Sequence, residues 1–78
     1  MTKLSNMPHT VRRVNTTTGD ARAFLADNER EARKQIFYCA TDNNGETRQA
    51  ATAQANAAPI GQPYAIDGYV FTIEVATL

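Results

Sequence analysis

The clearest alternation of apolar and polar residues lies near the C-terminal end of the chain, over residues 64–75. Every second residue there is large and apolar, and Asp67-Gly68 stands between the two halves. Because Asp-Gly is typical of a two-residue type I′ turn, the segment predicts a β-hairpin in which Ile66 faces Tyr69. One face of this hairpin then carries six large side chains that another element must cover. The six are Tyr64, Ile66, Tyr69, Phe71, Ile73 and Val75.

A helix is predicted from about residue 28 to residue 42. Asn28 has Glu31 three residues later, in the manner of a capping box, and the acidic residues of the first turn suit the helix dipole. Asn43-Asn44-Gly45 is a typical helix end. The periodicity predicts an amphipathic helix with one apolar stripe and basic residues largely off it. The stripe consists of Ala32, Ile36, Cys39 and Ala40.

Two further strands are predicted before this helix. Residues 11–16 are rich in β-branched side chains, and residues 22–26 form a second short run, with a turn over residues 17–20. A competing interpretation starts the helix near Asp20 and continues it to Cys39, because the apolar residues between them also fit a helical face. We favour the strand, since Asp27-Asn28 is a poor helix interior and a good helix start.

The remaining segment, residues 46–57, is rich in Ala, Thr, Asn and Gln and is either a second short helix or an irregular edge. Pro and Gly residues close it after position 58. The predicted fold class is α+β, a small antiparallel sheet of about four strands with one amphipathic helix packed on one face. We expect a single domain over residues 1–78, with residues 1–9 as a flexible leader.

Composition excludes several classes of protein. No apolar run approaches the roughly 20 residues of a membrane span, and the polar N-terminus has no signal-peptide core, so we expect a soluble, cytoplasmic chain without membrane contact.

Cys39 is the only cysteine, which rules out an internal disulfide, and with His9 as the only histidine it cannot make a structural zinc site. We expect Cys39 to be buried and His9 to be solvated. No cofactor or metal is predicted.

A search for catalytic motifs also returns nothing. The sequence has no Gly-rich phosphate loop, no Cys-x-x-Cys, no His-Glu-x-x-His and no Gly-x-Ser-x-Gly. Glu29 and Glu31 are two residues apart, so on a helix they point to different sides and do not form an acid/base pair. The chain is therefore predicted not to be an enzyme.

Charge is unevenly distributed along the chain, although the net charge is zero. Residues 1–34 hold seven Lys or Arg against four Asp or Glu, and residues 35–78 hold one against four. If the first strand and the exposed helix face lie side by side, the basic residues form one stripe. A neutral chain departs from the strongly basic profile of autonomous nucleic-acid-binding domains, so a protein partner is favoured and nucleic acid is the alternative. The candidate partner-binding residues are Arg12, Arg13, Arg30, Arg33 and Lys34.

The layout of the chain resembles that of many small phage-encoded proteins. The resemblance lies in a short strand leading into a capped helix, Arg22-Ala23-Phe24-Leu25-Ala26-Asp27-Asn28-Glu29-Arg30-Glu31-Ala32, and in a closing hairpin around Ile66-Asp67-Gly68-Tyr69. Such proteins include single-domain inhibitors of bacterial defence systems, among them anti-CRISPR proteins. The resemblance implies a non-catalytic, protein-binding inhibitor that occludes a surface of a larger complex in the host cytoplasm. Many inhibitors that mimic nucleic acid are strongly acidic, whereas this chain is neutral.

Overall fold

A computed structural model describes residues 3–76 of the chain. It contains four strands and two α-helices, together with a single 3₁₀ turn at Leu4–Asn6 and a π-helical turn at Cys39–Asn43. The strands and helices, in chain order, are β1 (His9–Asn15), β2 (Ala21–Ala26), α1 (Glu29–Tyr38), α2 (Arg48–Ala57), β3 (Pro63–Ile66) and β4 (Tyr69–Val75).

The four strands form one antiparallel sheet in the order β2-β1-β4-β3. The two central strands, β1 and β4, pair along their full length from His9↔Val75 to Asn15↔Tyr69. Both helices pack against the sheet, which confirms the predicted α+β class with a four-stranded antiparallel sheet. The predicted fold had one helix on the sheet, and the structure has two, because residues 48–57 form a second helix.

The C-terminal hairpin has the predicted register. Ile66 pairs with Tyr69, and Tyr64 pairs with Phe71. The turn type differs from the prediction, since a type I′ turn needs positive φ at both central residues and only Gly68, at +83°, has it. Positive φ confined to the second position is the pattern of a type II turn, for which glycine alone is sufficient.

The strand interpretation of residues 22–26 is confirmed. Strand β2 pairs with β1 from His9↔Ala26 to Val14↔Ala21, so no helix begins near Asp20. The Asn15 side chain stabilises the connecting turn, because its Oδ1 accepts from the backbone N–H groups of Thr17 and Thr18 at 2.9 and 3.1 Å.

The start of β1 corrects the prediction for His9. Its side chain is only 1% exposed, and Nδ1 lies 2.7 Å from the carbonyl oxygen of Met7. His9 was expected to be solvated, but it is buried: it begins the central strand β1, between Ala26 of β2 and Val75 of β4, and shares the covered face of Val11. Of the predicted leader over residues 1–9, residues 1 and 2 lie outside the described residues.

Helix α1 begins as the sequence predicts. The side chain of Asn28 caps it by accepting a hydrogen bond from the backbone N–H of Glu31 at 2.9 Å. The predicted apolar stripe is buried: Ala32, Ile36 and Ala40 are fully covered, and Cys39 is 3% exposed. A π-helical turn carries the chain on to Asn43, and Gly45 then takes φ +70°, as a helix-terminating glycine commonly does.

Helix α2 settles the open alternative for residues 46–57 in favour of a helix. Thr47 caps it by accepting from the backbone N–H of Ala50 at 3.1 Å. Its buried side chains are Ala51 and Ala55, and Ala58 just beyond the helix is also buried. Small side chains at this spacing let α2 lie close beside α1, and the two helices make a substantial contact.

The core lies between the sheet and the two helices. Its largest fully buried side chains are Phe71, Ile73 and Val11 from the central strands and Ile36 from α1. Tyr64, Ile66 and Tyr69 are partly buried and pack against this cluster. The side chains that alternate with them along the strands point away from the helices.

Candidate functional site

A groove lies on the surface of the helix pair. It has a volume of about 920 Å³ and lies between α1 and α2, with Ser5 and Asn6 of the 3₁₀ turn at its margin. Four cationic side chains line it, against one carboxylate, that of Glu29. The four are Arg30, Arg33, Lys34 and Arg48.

Arg33 forms the floor of the groove and links the two helices. Its guanidinium donates from one terminal nitrogen to the carbonyl oxygens of Ala55 at 2.7 Å and Ala58 at 2.8 Å, and Nε lies 3.4 Å from Oε2 of Glu29. These carbonyls belong to the end of α2, where backbone acceptors lack helical partners and the helix dipole favours a cation. Since the Arg33 side chain is only 19% exposed, most of its donors serve the fold.

The other cations on α1 differ in how freely they can bind a ligand. Lys34 donates to Oε1 of Glu31 at 3.1 Å, an ion pair in which both side chains are more than a third exposed. Pairs of this kind contribute little to stability, so a ligand carboxylate or phosphate can replace Glu31 at small cost. Arg30 is exposed, and across residues 3–76 its guanidinium has no ion pair or hydrogen bond.

Arg48 supplies the matching cation from α2. It is the first residue of that helix, it is exposed, and no carboxylate of the described chain lies within 4 Å of it. Arg30 and Arg48 thus present two uncompensated guanidinium groups to one groove. Each has donors in a planar fork that matches the geometry of carboxylate and phosphate groups.

Aromatic surface accompanies these charges. Tyr38, the last residue of α1, lines the groove and is 48% exposed. Its ring packs edge-on against that of Phe37, with the ring centroids 5.7 Å apart. The groove therefore combines positive charge, hydrogen-bond donors and an exposed aromatic ring.

The structure does not bring the five predicted site residues together. Arg30, Arg33 and Lys34 line the groove, whereas Arg12 follows the fully buried Val11 on β1 and so points from the opposite face of the sheet. Arg13 shares the face of Val11 but lies at the far end of the strand, with its guanidinium 5.6 Å from the centre of the Tyr69 ring. The predicted stripe joining β1 to the helix is therefore wrong.

Two features of the groove were missed from the sequence. Arg48 is the one Lys or Arg residue of residues 35–78, and it lies in a segment that the sequence predicts as either helix or irregular edge. No local sequence pattern indicates that it lies beside α1. Arg33 was expected to be a free surface cation, but it is committed to the carbonyls of α2. Its partners lie 22 and 25 residues away, beyond the range of any helical pattern.

Comparisons with known proteins assign no function to the groove residues. No family model matches the chain, and no curated protein or solved structure is significantly similar to it. Among residues 3–76, no group of three His, Cys, Asp or Glu side chains is placed to hold a metal ion. Neither helix of this part of the chain is long and apolar enough to cross a membrane.

Proposed function

We propose that the chain is a non-catalytic binding protein whose groove takes an acidic segment of a protein partner. The observation that carries the proposal is the pair Arg30 and Arg48, two exposed and uncompensated guanidinium groups on neighbouring helices beside the Tyr38 ring. Arginine and tyrosine are the residue types that most often dominate the energy of protein interfaces. Carboxylates of the partner supply the charge that the groove lacks.

The charge of the whole molecule supports a protein partner over nucleic acid. The residues outside the groove include four Lys or Arg and seven Asp or Glu, so this part of the molecule is net negative. A long polyanion is repelled by that negative charge, whereas a short acidic segment contacts only the positively charged groove. Bound in this way, the protein covers a surface of a larger complex. This is the mode of inhibition implied by the resemblance to phage-encoded inhibitors of bacterial defence systems.

A second candidate is binding of single-stranded nucleic acid. The exposed Tyr38 ring among cations favours it, since bases stack on such rings while phosphates contact the arginines. Its signature is a steep fall of affinity with salt. The two candidates share a groove and differ in ligand, so one pair of probes separates them.

The test uses two labelled probes, a glutamate-rich peptide of 12 residues and an oligothymidylate of 12 nucleotides, in fluorescence anisotropy titrations at low salt. We expect the peptide to bind and the charge reversal Arg30→Glu with Arg48→Glu to weaken it at least tenfold, about 1.4 kcal/mol. Arg12→Glu with Arg22→Glu is the matched control, because it changes the net charge by the same amount at two exposed arginines outside the groove. Affinity capture with wild type and the double variant as baits then identifies the partner.

Each other outcome has a definite meaning. Preferential, salt-sensitive binding of the oligonucleotide that the double reversal abolishes would support nucleic acid and contradict the acidic protein segment. Equal weakening by Arg12→Glu with Arg22→Glu would show that net charge and not the groove determines binding. A partner captured equally by wild type and double variant would place its binding site elsewhere on the molecule.

A further inference from the structure

The helix-free face of the sheet is a second surface, opposite the groove. Along β1 and β4 the residues between the buried ones point to this side, as the burial of Val11 and Ile73 beside the exposed Arg12 and Glu74 shows. The pairing register then places eleven side chains on it. They are Ala21, Ala23 and Leu25 of β2, Thr10, Arg12 and Val14 of β1, Thr72, Val70 and Glu74 of β4, and Pro63 and Ala65 of β3.

This face is largely apolar. Seven of its eleven side chains are Ala, Val, Leu or Pro, and Leu25 is 69% exposed. With strands about 4.8 Å apart and about 3.3 Å per residue, it covers about 400 Å² in projection. The seven apolar side chains are part of this area, and the largest apolar patch on a protein surface is often an interaction site.

The only two charges of the face have opposite signs and no partner within it. Arg12 pairs in register with Thr72, and Glu74 pairs with Thr10, so the two charged residues lie diagonally across the central strands. Neither forms an ion pair within residues 3–76. A surface with one positive and one negative group on two adjacent strands is complementary to a copy of itself.

We infer that this face binds a second copy of the chain, sheet against sheet, about a twofold axis that runs between the two central strands. Such an axis sets β1 of one copy over β4 of the other, so each Arg12 comes within reach of Glu74 of the other copy. In this arrangement Ala23 and Ala21 of β2 lie over Pro63 and Ala65 of β3. Leu25 lies in the next row, that of Thr10 and Glu74, where β3 has no residue. Small side chains on both faces suit the separation of about 10 Å between packed sheets.

The size of the face predicts a weak dimer. Its projected area of about 400 Å² is small beside the roughly 800 Å² of accessible surface that each partner buries in a standard interface. We expect a chain that is monomeric at nanomolar concentration and self-associates only as the concentration approaches millimolar. The groove lies on the opposite side, so both copies keep it open and the proposal stands independently of what the groove binds.

The test reverses the charge of Arg12 in one variant and of Glu74 in another. Self-association of each variant, and of their mixture, is measured by analytical ultracentrifugation over a range of concentrations. Arg12→Glu alone and Glu74→Arg alone should each weaken self-association at least tenfold, because like charges then face each other in both ion pairs. An equimolar mixture of the two variants should recover a dimer at least as tight as wild type, since both pairs become attractive. Only contact between different molecules produces this recovery.

Folding is checked in the same experiment. Arg12 and Glu74 are exposed, so thermal melts of both variants should match that of wild type. Leu25→Glu is an independent variant that should abolish self-association. Mixing it with either charge variant should not restore a dimer. A wild-type chain that stays monomeric at 1 mM, or a mixture no tighter than the single variants, would overturn the inference and leave the face to a partner of another sequence.

Discussion

At the scale of single residues, Arg33 shows how one side chain holds two helices together. Its two short hydrogen bonds to α2 carbonyls are charge-assisted, and its guanidinium is mostly covered. We expect Arg33→Ala to lower the free energy of unfolding by about 1.5–3 kcal/mol, the usual range for hydrogen bonds to charged groups. Arg30→Ala, one turn away and exposed, should change it by less than about 0.5 kcal/mol.

Urea denaturation of the two variants measures this difference. Arg33→Lys is the informative third variant, because a single ammonium lacks the planar fork and should recover only part of the loss. Equal stability of Arg33→Ala and wild type would show that the contact with α2 contributes nothing to the fold. In that case Arg33 would return to the set of residues free to bind a partner.

Phe71 is the corresponding test of the apolar core. It is 1% exposed at the centre of β4, and the alternation in the sequence placed it on the covered face. Phe71→Ala should cost about 3–5 kcal/mol, enough to unfold much of the population of a domain this small. Leu4→Ala, at 66% exposure, is the control expected to leave the thermal midpoint unchanged. A Phe71→Ala melt close to wild type would contradict this description of the core.

At the scale of elements, the cap of α1 is a local feature and was predicted from the sequence. Asn28 caps α1 through its side-chain oxygen, which Ala cannot replace and Ser or Asp can. We expect Asn28→Ala to destabilise the fold by about 0.5–2 kcal/mol and Asn28→Asp to retain most of the stability. Circular dichroism melts of the two variants measure the effect, and equal losses would show that the amide acts through some contact other than capping.

The sequence alone did not decide the secondary structure of two segments, because there it depends on packing against residues far away in the chain. Residues 46–57 show no strong amphipathic pattern, because alanines at positions 51 and 55 carry the buried side of α2 and alanine is common on either face of a helix. Residues 22–26 fit a strand or a helix equally by periodicity, and pairing with β1 decides between them. The groove was beyond prediction for the same reason, since it exists only where α1 and α2 meet.

At the scale of the whole molecule, the sheet makes the two ends of the described chain interdependent. Strand β4 is the neighbour of both β1 and β3, and Ala76 N–H donates to the carbonyl oxygen of Pro8 at 2.9 Å. Removing residues 67–78 should therefore abolish cooperative unfolding altogether, because β1 and β3 lose their shared partner. Removing residues 1–6 should cost little, since the turn at Leu4–Asn6 contains no buried residue.

Differential scanning calorimetry of both truncated chains tests this asymmetry. A cooperative transition in the chain that ends at Ile66 would show that β1, β2 and the helices form a stable unit without β4. Loss of the transition on removing residues 1–6 would show instead that the N-terminal segment is needed for folding.

The same central pairing sets the timing of folding in the cell. His9 and Val75 are partners across 66 residues of chain, so β1 emerges from the ribosome long before the strand that completes its pairing. At about 5–20 residues per second, the wait is roughly 3–13 seconds, far longer than a hairpin needs to form. During that interval one edge of the β1–β2 hairpin and its apolar side chains stay uncovered. The nascent chain is then at its most prone to aggregate, and a chaperone that recognises exposed strands has its best opportunity to bind.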